Sequence, residues 1–97
     1  MKGAMKSKDK NKPTSPGEFL RQGVLVELDL TPQELSLALG TTTKNTYALM
    51  TDRKPLGLEH CLRLERLTQI PRQFWVSLQI EYELWEGAHI LHLISED

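Results

Sequence analysis

Apolar residues recur at helical spacing in five stretches of this chain, and the polar residues between them carry start and stop signals. Phe19, Leu20, Val24, Leu25 and Leu28 form the first stretch, which predicts a helix running to about Leu28. It opens at Ser15-Pro16-Gly17-Glu18, where serine at the cap, proline in the first helical position and glutamate three residues after the cap make a capping box. The same signal returns at Thr31-Pro32-Gln33-Glu34 and opens a short second helix that stops at Gly40. Thr42 caps a third helix running from Thr43 to about Met50, with Leu49 facing inward. Asp52-Arg53-Lys54-Pro55 reads as a turn, because the residue before proline avoids helical geometry. A fourth helix runs from Leu58 to Leu67, with Leu58, Cys61, Leu62, Leu64 and Leu67 on or near one face. Pro71 starts a fifth, whose stripe runs through Phe74, Trp75, Leu78, Tyr82 and Trp85. Gly87 is expected to interrupt it, and the segment from His89 to Ile94 fits a final helical turn or a short strand equally well.

The resulting expectation is an all-α, compact five-helix domain over residues 15–97. Residues 1–14, polar, lysine-rich and without periodicity, read as a disordered basic tail. Ninety-seven residues, 39% apolar and 26% charged, suit one modest core and an ordinary globular composition. No apolar run approaches the roughly 18 residues that a membrane span needs. The lysine-rich start lacks the apolar stretch of a signal peptide. The single cysteine, Cys61, forms no internal disulfide and fits a reducing cytoplasm. The net charge of −1 argues against a nucleic-acid partner until its distribution is considered. Residues 1–56 hold nine Lys/Arg against six Asp/Glu, a net of +3, and residues 57–97 hold three against seven, a net of −4. Such asymmetry lets one face meet phosphate while the acidic half stays away.

Between Pro32 and Met50 the spacing meets the local demands of a helix-turn-helix. Gly40 supplies the positive φ that the turn requires, Ser36 is the small residue needed where the helices cross, and Thr46 and Leu49 point the third helix inward. Many αα-hairpins meet the same demands.

A resemblance goes further. From Ser15 to Trp85 the chain is similar to the HigA/VapI group of antitoxins within the lambda-repressor-like (Xre) helix-turn-helix proteins. The matching pieces are Pro16-Gly17-Glu18-Phe19-Leu20, then Leu35 with Ala38-Leu39-Gly40, Arg53-Lys54-Pro55-Leu56, Leu62-Arg63-Leu64-Glu65, Phe74-Trp75, Leu78-Gln79, and Tyr82 with Leu84-Trp85. This resemblance implies a dimeric repressor of its own operon that neutralises a RelE-like mRNA-cleaving toxin. It makes the third helix the recognition helix, with Thr43, Lys44 and Tyr47 facing base edges of double-stranded operator DNA. Gln33 and Thr42, at helix N-termini, and Arg53 and Lys54, beyond the recognition helix, become phosphate contacts. Three departures weaken the DNA reading. Thr46 stands where the family usually has an aliphatic residue, Asp52 stands where it has glycine, and the recognition helix carries fewer Arg and Gln.

The aromatic stripe and the apolar tail are more than so short a chain can cover. Trp75, Tyr82, Trp85, Ile90, Leu91, Leu93 and Ile94 are therefore expected to build a twofold homodimer interface, which matches a palindromic operator. His89 and His92 share a helical face but lack a third ligand, so no metal is expected. Cys61 reads as a packing residue. No catalytic constellation or phosphate loop is present, and the chain reads as a non-enzyme without cofactor. Two other functions fit the same residues: a stand-alone phage- or plasmid-type repressor, and a protein-interaction module whose helix-turn-helix no longer reads DNA.

Overall fold

The computed structural model describes residues 12–95 and is helical throughout its ordered elements. Five helical stretches follow one another. The first, α1, covers residues 16–28 as Pro16–Phe19, a wider π-helical turn Leu20–Val24, and Leu25–Leu28. Then come α2 (Pro32–Leu39), α3 (Thr43–Met50), α4 (Leu58–Thr68) and α5 (Arg72–Ser95). No strand occurs among the described residues, so the protein is all-α, as the periodicity predicts. The tail reading for residues 1–11 lies outside the described residues.

The core draws on every helix. Leu20 and Val24 from α1, Leu35 and Leu39 from α2, Leu49 and Met50 from α3, Cys61 and Leu64 from α4, and Trp75 from α5 are buried together, with Leu56 from the loop. Each fully buried leucine contributes about 1.5–3 kcal/mol relative to exposure. Around Trp75 the Phe19 and Phe74 rings stand edge to face, with centroids 5.2 to 5.4 Å apart in all three pairings. This geometry adds roughly 0.5–1.5 kcal/mol per pair beyond area burial.

The structure corrects several expectations. Trp75, expected at a dimer surface, has no accessible area at all, whereas its neighbour Phe74 is 37% exposed. Trp75 points under α1 into the core, so it has no surface to offer a partner. Its indole N–H finds no acceptor among the described residues. Gly87 does not interrupt α5, which continues through it to Ser95; no side chain lies within 4 Å of the position a Cβ would take there, and the cost of a glycine in a helix interior is only about 1 kcal/mol. The segment from His89 to Ile94 is accordingly helix rather than strand. Leu28, Leu58 and Leu62, counted with the inward faces, are exposed instead, since each lies in the end turn or on the outer flank of its helix. The fifth helix begins at Arg72, one residue after Pro71.

Two helices are started by a carboxylate from a preceding or distant segment. Glu65 of α4 accepts from the Arg72 backbone N–H at 2.9 Å and from its guanidinium at 2.8 Å, capping α5. Those bonds hold the Glu65 carboxyl below its ordinary range. Asp52 does the same for α1, as described below.

Candidate nucleic-acid interface

The two-helix unit is held at three points. Thr31 and Glu34 form a complete capping box at the start of α2, with bonds of 2.9 and 3.1 Å. Gly40 ends α2 with φ 67°, a left-handed conformation that glycine adopts without steric cost. Thr42 then opens α3, its hydroxyl accepting from the Asn45 N–H at 3.1 Å. These features agree with the sequence reading position by position.

Where α2 and α3 cross, the contact is polar. Ser36 and Thr46 are both buried, and their hydroxyls lie 2.7 Å apart. Ser36 Oγ also reaches the Pro32 carbonyl and Thr46 Oγ1 the Thr42 carbonyl, at 2.7 and 3.0 Å. Each hydroxyl has one proton and accepts as well, so the pair is satisfied in either orientation of the chain of bonds. Thr46 is thus accommodated where an aliphatic residue is usual, and the hydroxyl has a partner.

With Thr46, Leu49 and Met50 turned inward, Lys44 and Tyr47 fall on the opposite side of α3 and are exposed, Tyr47 by 43%. Thr43 sits at the border, half-buried. The three expected base-contacting residues therefore occupy the outer and border side of one helix. Gln33 is exposed in the first turn of α2, and Thr42 is exposed at the cap of α3; both helix N-termini are places where backbone N–H groups favour an anion.

Arg53 and Lys54 are exposed immediately after α3, and their backbone N–H groups close it by bonding the Ala48 carbonyl at 2.9 and 3.2 Å. The Arg53 side chain is also oriented. Its Nε donates to Thr51 Oγ1 at 3.0 Å, and Thr51 in turn donates to the Tyr47 carbonyl at 2.8 Å. This leaves the terminal guanidinium nitrogens to present a fork of the kind that matches a phosphate. Thr51 escaped the sequence reading, since an isolated threonine at a helix end carries no pattern.

Asp52 has φ 59°, a conformation that costs a residue other than glycine roughly 1–2 kcal/mol and that aspartate tolerates better than most. Its carboxylate accepts from Ser15 Oγ at 2.6 Å and from the Gly17 N–H at 2.8 Å. Negative charge at a helix N-terminus, with direct bonds to orphan donors, offsets the backbone cost. The departure from glycine therefore adds a contact between the end of α3 and the start of α1.

Away from this face, Tyr82 and Trp85 are half-buried and stack at 6.1 Å, with the Lys12 ammonium 5.4 Å from the Trp85 ring. Burial, followed by the charges of Glu86 and Asp52, raises the Tyr82 pKa. Ile90 is exposed, while the side chains of Leu91, Leu93 and Ile94 lie outside the described ones. Ile80 and Leu84, which the sequence reading did not count with the dimer surface, are exposed by 48% and 64% and stand one turn apart, opposite Trp75 and Tyr82. A helical wheel carried along the whole of α5 would have found them. His60 acts as a cap, with the Gly57 N–H donating to its Nδ1 at 2.9 Å. Burial lowers its pKa, helped by Lys54 and Arg63 against Glu59. Cys61 is buried, which pushes its thiol pKa up and suits packing. No group of three or more metal-ligating side chains occurs among the described residues, and the side chains of His89 and His92 lie outside them. No helix among the described residues is long and apolar enough to cross a membrane.

Several known proteins are similar. The uncharacterized HTH-type transcriptional regulator YbaQ of Escherichia coli K12 is 35% identical over 75 residues, 77% of this chain and 66% of that protein. In Pseudomonas aeruginosa, PA4674 in complex with its operator DNA superimposes with a TM-score of 0.73 at 32% identity, covering 78% of this chain and 82% of that one. The antitoxin HigA of the same organism, solved with the higBA promoter, gives a TM-score of 0.79 at 29% identity over 88% and 92% of the two chains. No family model matches the sequence.

Proposed function

Because the chain belongs to the helix-turn-helix transcriptional regulators of the HigA antitoxin type, a family of regulators rather than enzymes, we propose that it is a cytoplasmic repressor of its own operon and the antitoxin to a RelE-like toxin. The observation that carries the DNA-binding part is the outer side of α3. Lys44 and Tyr47 are exposed there, on a helix whose opposite side is anchored through Thr46 and Leu49. Lys44 donates to guanine O6 or N7, and Thr43 offers a hydroxyl or a methyl to a base edge. Gln33 and Thr42 give backbone N–H groups to phosphate, and Arg53 and Lys54 flank them with charge. Few cations line this face, so binding has a shallow salt dependence, with a slope of about −0.9 per neutralised phosphate.

A homodimer supplies the second half-site. Its surface is the outer side of α5, where Ile80 and Leu84 are exposed, together with Ile90 and, at its edge, Trp85, while Tyr82 faces the other side of the helix. Trp75 takes no part. Twofold pairing sets the recognition helices about one DNA turn apart and calls for a palindromic operator. The likeness to HigA supports the antitoxin role.

Titration onto the DNA upstream of the gene and onto a shuffled duplex tests the repressor reading. It predicts a cognate preference of about a thousandfold or more. Lys44→Ala should erode that preference, and Arg53→Ala should weaken both duplexes alike. Equal weak binding to both duplexes would remove the repressor reading. Co-expression with the adjacent reading frame tests the antitoxin reading: it expects a stable complex and relief of growth arrest.

A further inference from the structure

We propose that Asp52 is a positioning residue for DNA binding: its carboxylate straps the end of the recognition helix to the start of α1 and thereby fixes Arg53 in its phosphate-contacting pose. This rests on the repressor reading above.

A helix that ends on a left-handed residue favours glycine there, and at the end of α3 this residue is Asp52, with φ 59°. Its N–H bonds the Leu49 carbonyl, and the next N–H, from Arg53, bonds the Ala48 carbonyl. The turn thus sets the direction in which Arg53 leaves the helix. A glycine would form the same turn but would hold nothing else.

Asp52 holds α1. Both carboxylate oxygens are engaged, one by Gly17 N–H and the other by Ser15 Oγ, 35 and 37 residues away in sequence. Two independent features show that α1 and the end of α3 are fitted to each other. A Cβ on Gly17 would stand 2.5 Å from the Met50 carbonyl oxygen, so only glycine allows this approach. The Arg21 guanidinium, one turn further along α1, donates to the same Met50 carbonyl. The end of α3 is therefore held from outside the two-helix unit, by a helix that carries no expected DNA contact.

The Arg53 side chain depends on this arrangement. Its Nε bond to Thr51, itself bonded to the Tyr47 carbonyl, holds only while residues 51–53 keep their turn. Glycine at position 52 forms the same turn but lacks the bonds to Ser15 and Gly17, so residues 51–53 shift more freely against α1 and the Arg53 guanidinium loses its fixed bearing.

A double-mutant cycle on the full-length protein reads this directly. Operator affinity is measured for wild type, Asp52→Gly, Arg53→Ala and the double variant, well below each melting temperature, with circular dichroism confirming the fold. Asp52→Gly should weaken operator binding about tenfold, although glycine suits the backbone better. Arg53→Ala should cost about tenfold in the wild type and less than about twofold in the Asp52→Gly background. Asp52→Asn, which keeps an acceptor for Gly17 and tolerates the left-handed region, should restore most of the lost affinity. If Asp52→Gly binds as tightly as wild type, or if Arg53→Ala costs the same in both backgrounds, the positioning role is overturned while the repressor reading stands. If the wild type shows no operator preference, the repressor reading falls and this role with it.

Discussion

The α2–α3 unit and the C-terminal part of α5 meet their surroundings in opposite ways. In the first, nearly every group that faces inward has a partner within the chain. Thr31 and Glu34 cap each other, Ser36 and Thr46 share a hydrogen bond in the crossing, and Arg21 and Asp52 tie the far end to α1. What remains exposed on the α3 side is polar or amphipathic, Gln33, Lys44, Tyr47, Arg53 and Lys54 among it, while α2 also leaves one apolar side chain in solvent, Leu37 at 81%. In the second region Ile80, Leu84 and Ile90 stand in solvent. The first region presents mainly hydrogen-bonding groups beside α3; the second presents three apolar side chains along one helix. On the reading proposed above, DNA meets the first and a second copy of the chain meets the other.

The largest expected effect comes from the largest fully buried side chain, on which both regions depend for a folded domain. Trp75→Ala should destabilise the protein by about 3–5 kcal/mol, read by thermal or denaturant unfolding, and should abolish DNA binding through loss of fold. Trp75→Phe should cost far less, because it removes the indole N–H that has no acceptor among the described residues. Next comes the apolar surface. Leu84→Lys should raise the dimer dissociation constant by at least about tenfold, roughly 1.4 kcal/mol, seen by sedimentation at micromolar concentration. Its monomer stability should move by only about 0.5 kcal/mol. Equal loss of both would show that Leu84 belongs to the core.

Gly40→Ala tests the internal completeness of the two-helix unit. The left-handed φ of 67° and the 2.8 Å approach of a Cβ to the Arg63 guanidinium predict a loss of about 1 kcal/mol. The smallest effect is the pH response of the α4 cap. His60 accepts a hydrogen bond at Nδ1, which requires the neutral ring, and its pKa is lowered from 6.5. A lowered folded-state pKa means that this contribution is present above about pH 6.5 and is lost as pH falls through the folded value. The melting temperature should therefore drop slightly as pH falls below 6.5, and His60→Ala should flatten that part of the profile.

Helix starts and helix ends were legible for different reasons. Ser15-Pro16, Thr31-Pro32 and Thr42 announce themselves because capping is local chemistry between residues three apart. The ends of α1, α3 and α4 fall on Asp29, Asp52 and Gln69, all with positive φ. None of these is the glycine that would mark such a position, yet the loss of the apolar period placed those ends within a residue; the end of α5 was missed, because Gly87 reads as a stop and the helix runs on to Ser95. Part of the inward set of the two-helix unit was also legible: Ser36, Thr46 and Leu49 were placed inward from the demands of the crossing and are buried. Periodicity could not rank Phe74 against Trp75, since adjacent aromatics on one helix differ only in which neighbour they meet. Both rings meet Phe19 of α1, and only the packing of whole helices leaves Phe74 at the surface and Trp75 in the core. In the site itself, the outward residues of α3 follow from knowing which ones point in. The bonds from Asp52 to Ser15 and Gly17 span more than thirty residues, and no local signal announces them.

On the proposed reading, the α2–α3 unit is the part of the molecule that meets DNA. An amide chemical-shift titration of the labelled protein with its upstream duplex tests it residue by residue. The account predicts that the large changes cluster at residues 31–33, 42–47 and 51–54, and that Ile80 and Leu84 change little beyond what dimer formation causes. Changes concentrated along α5, with those three segments unmoved, would contradict it.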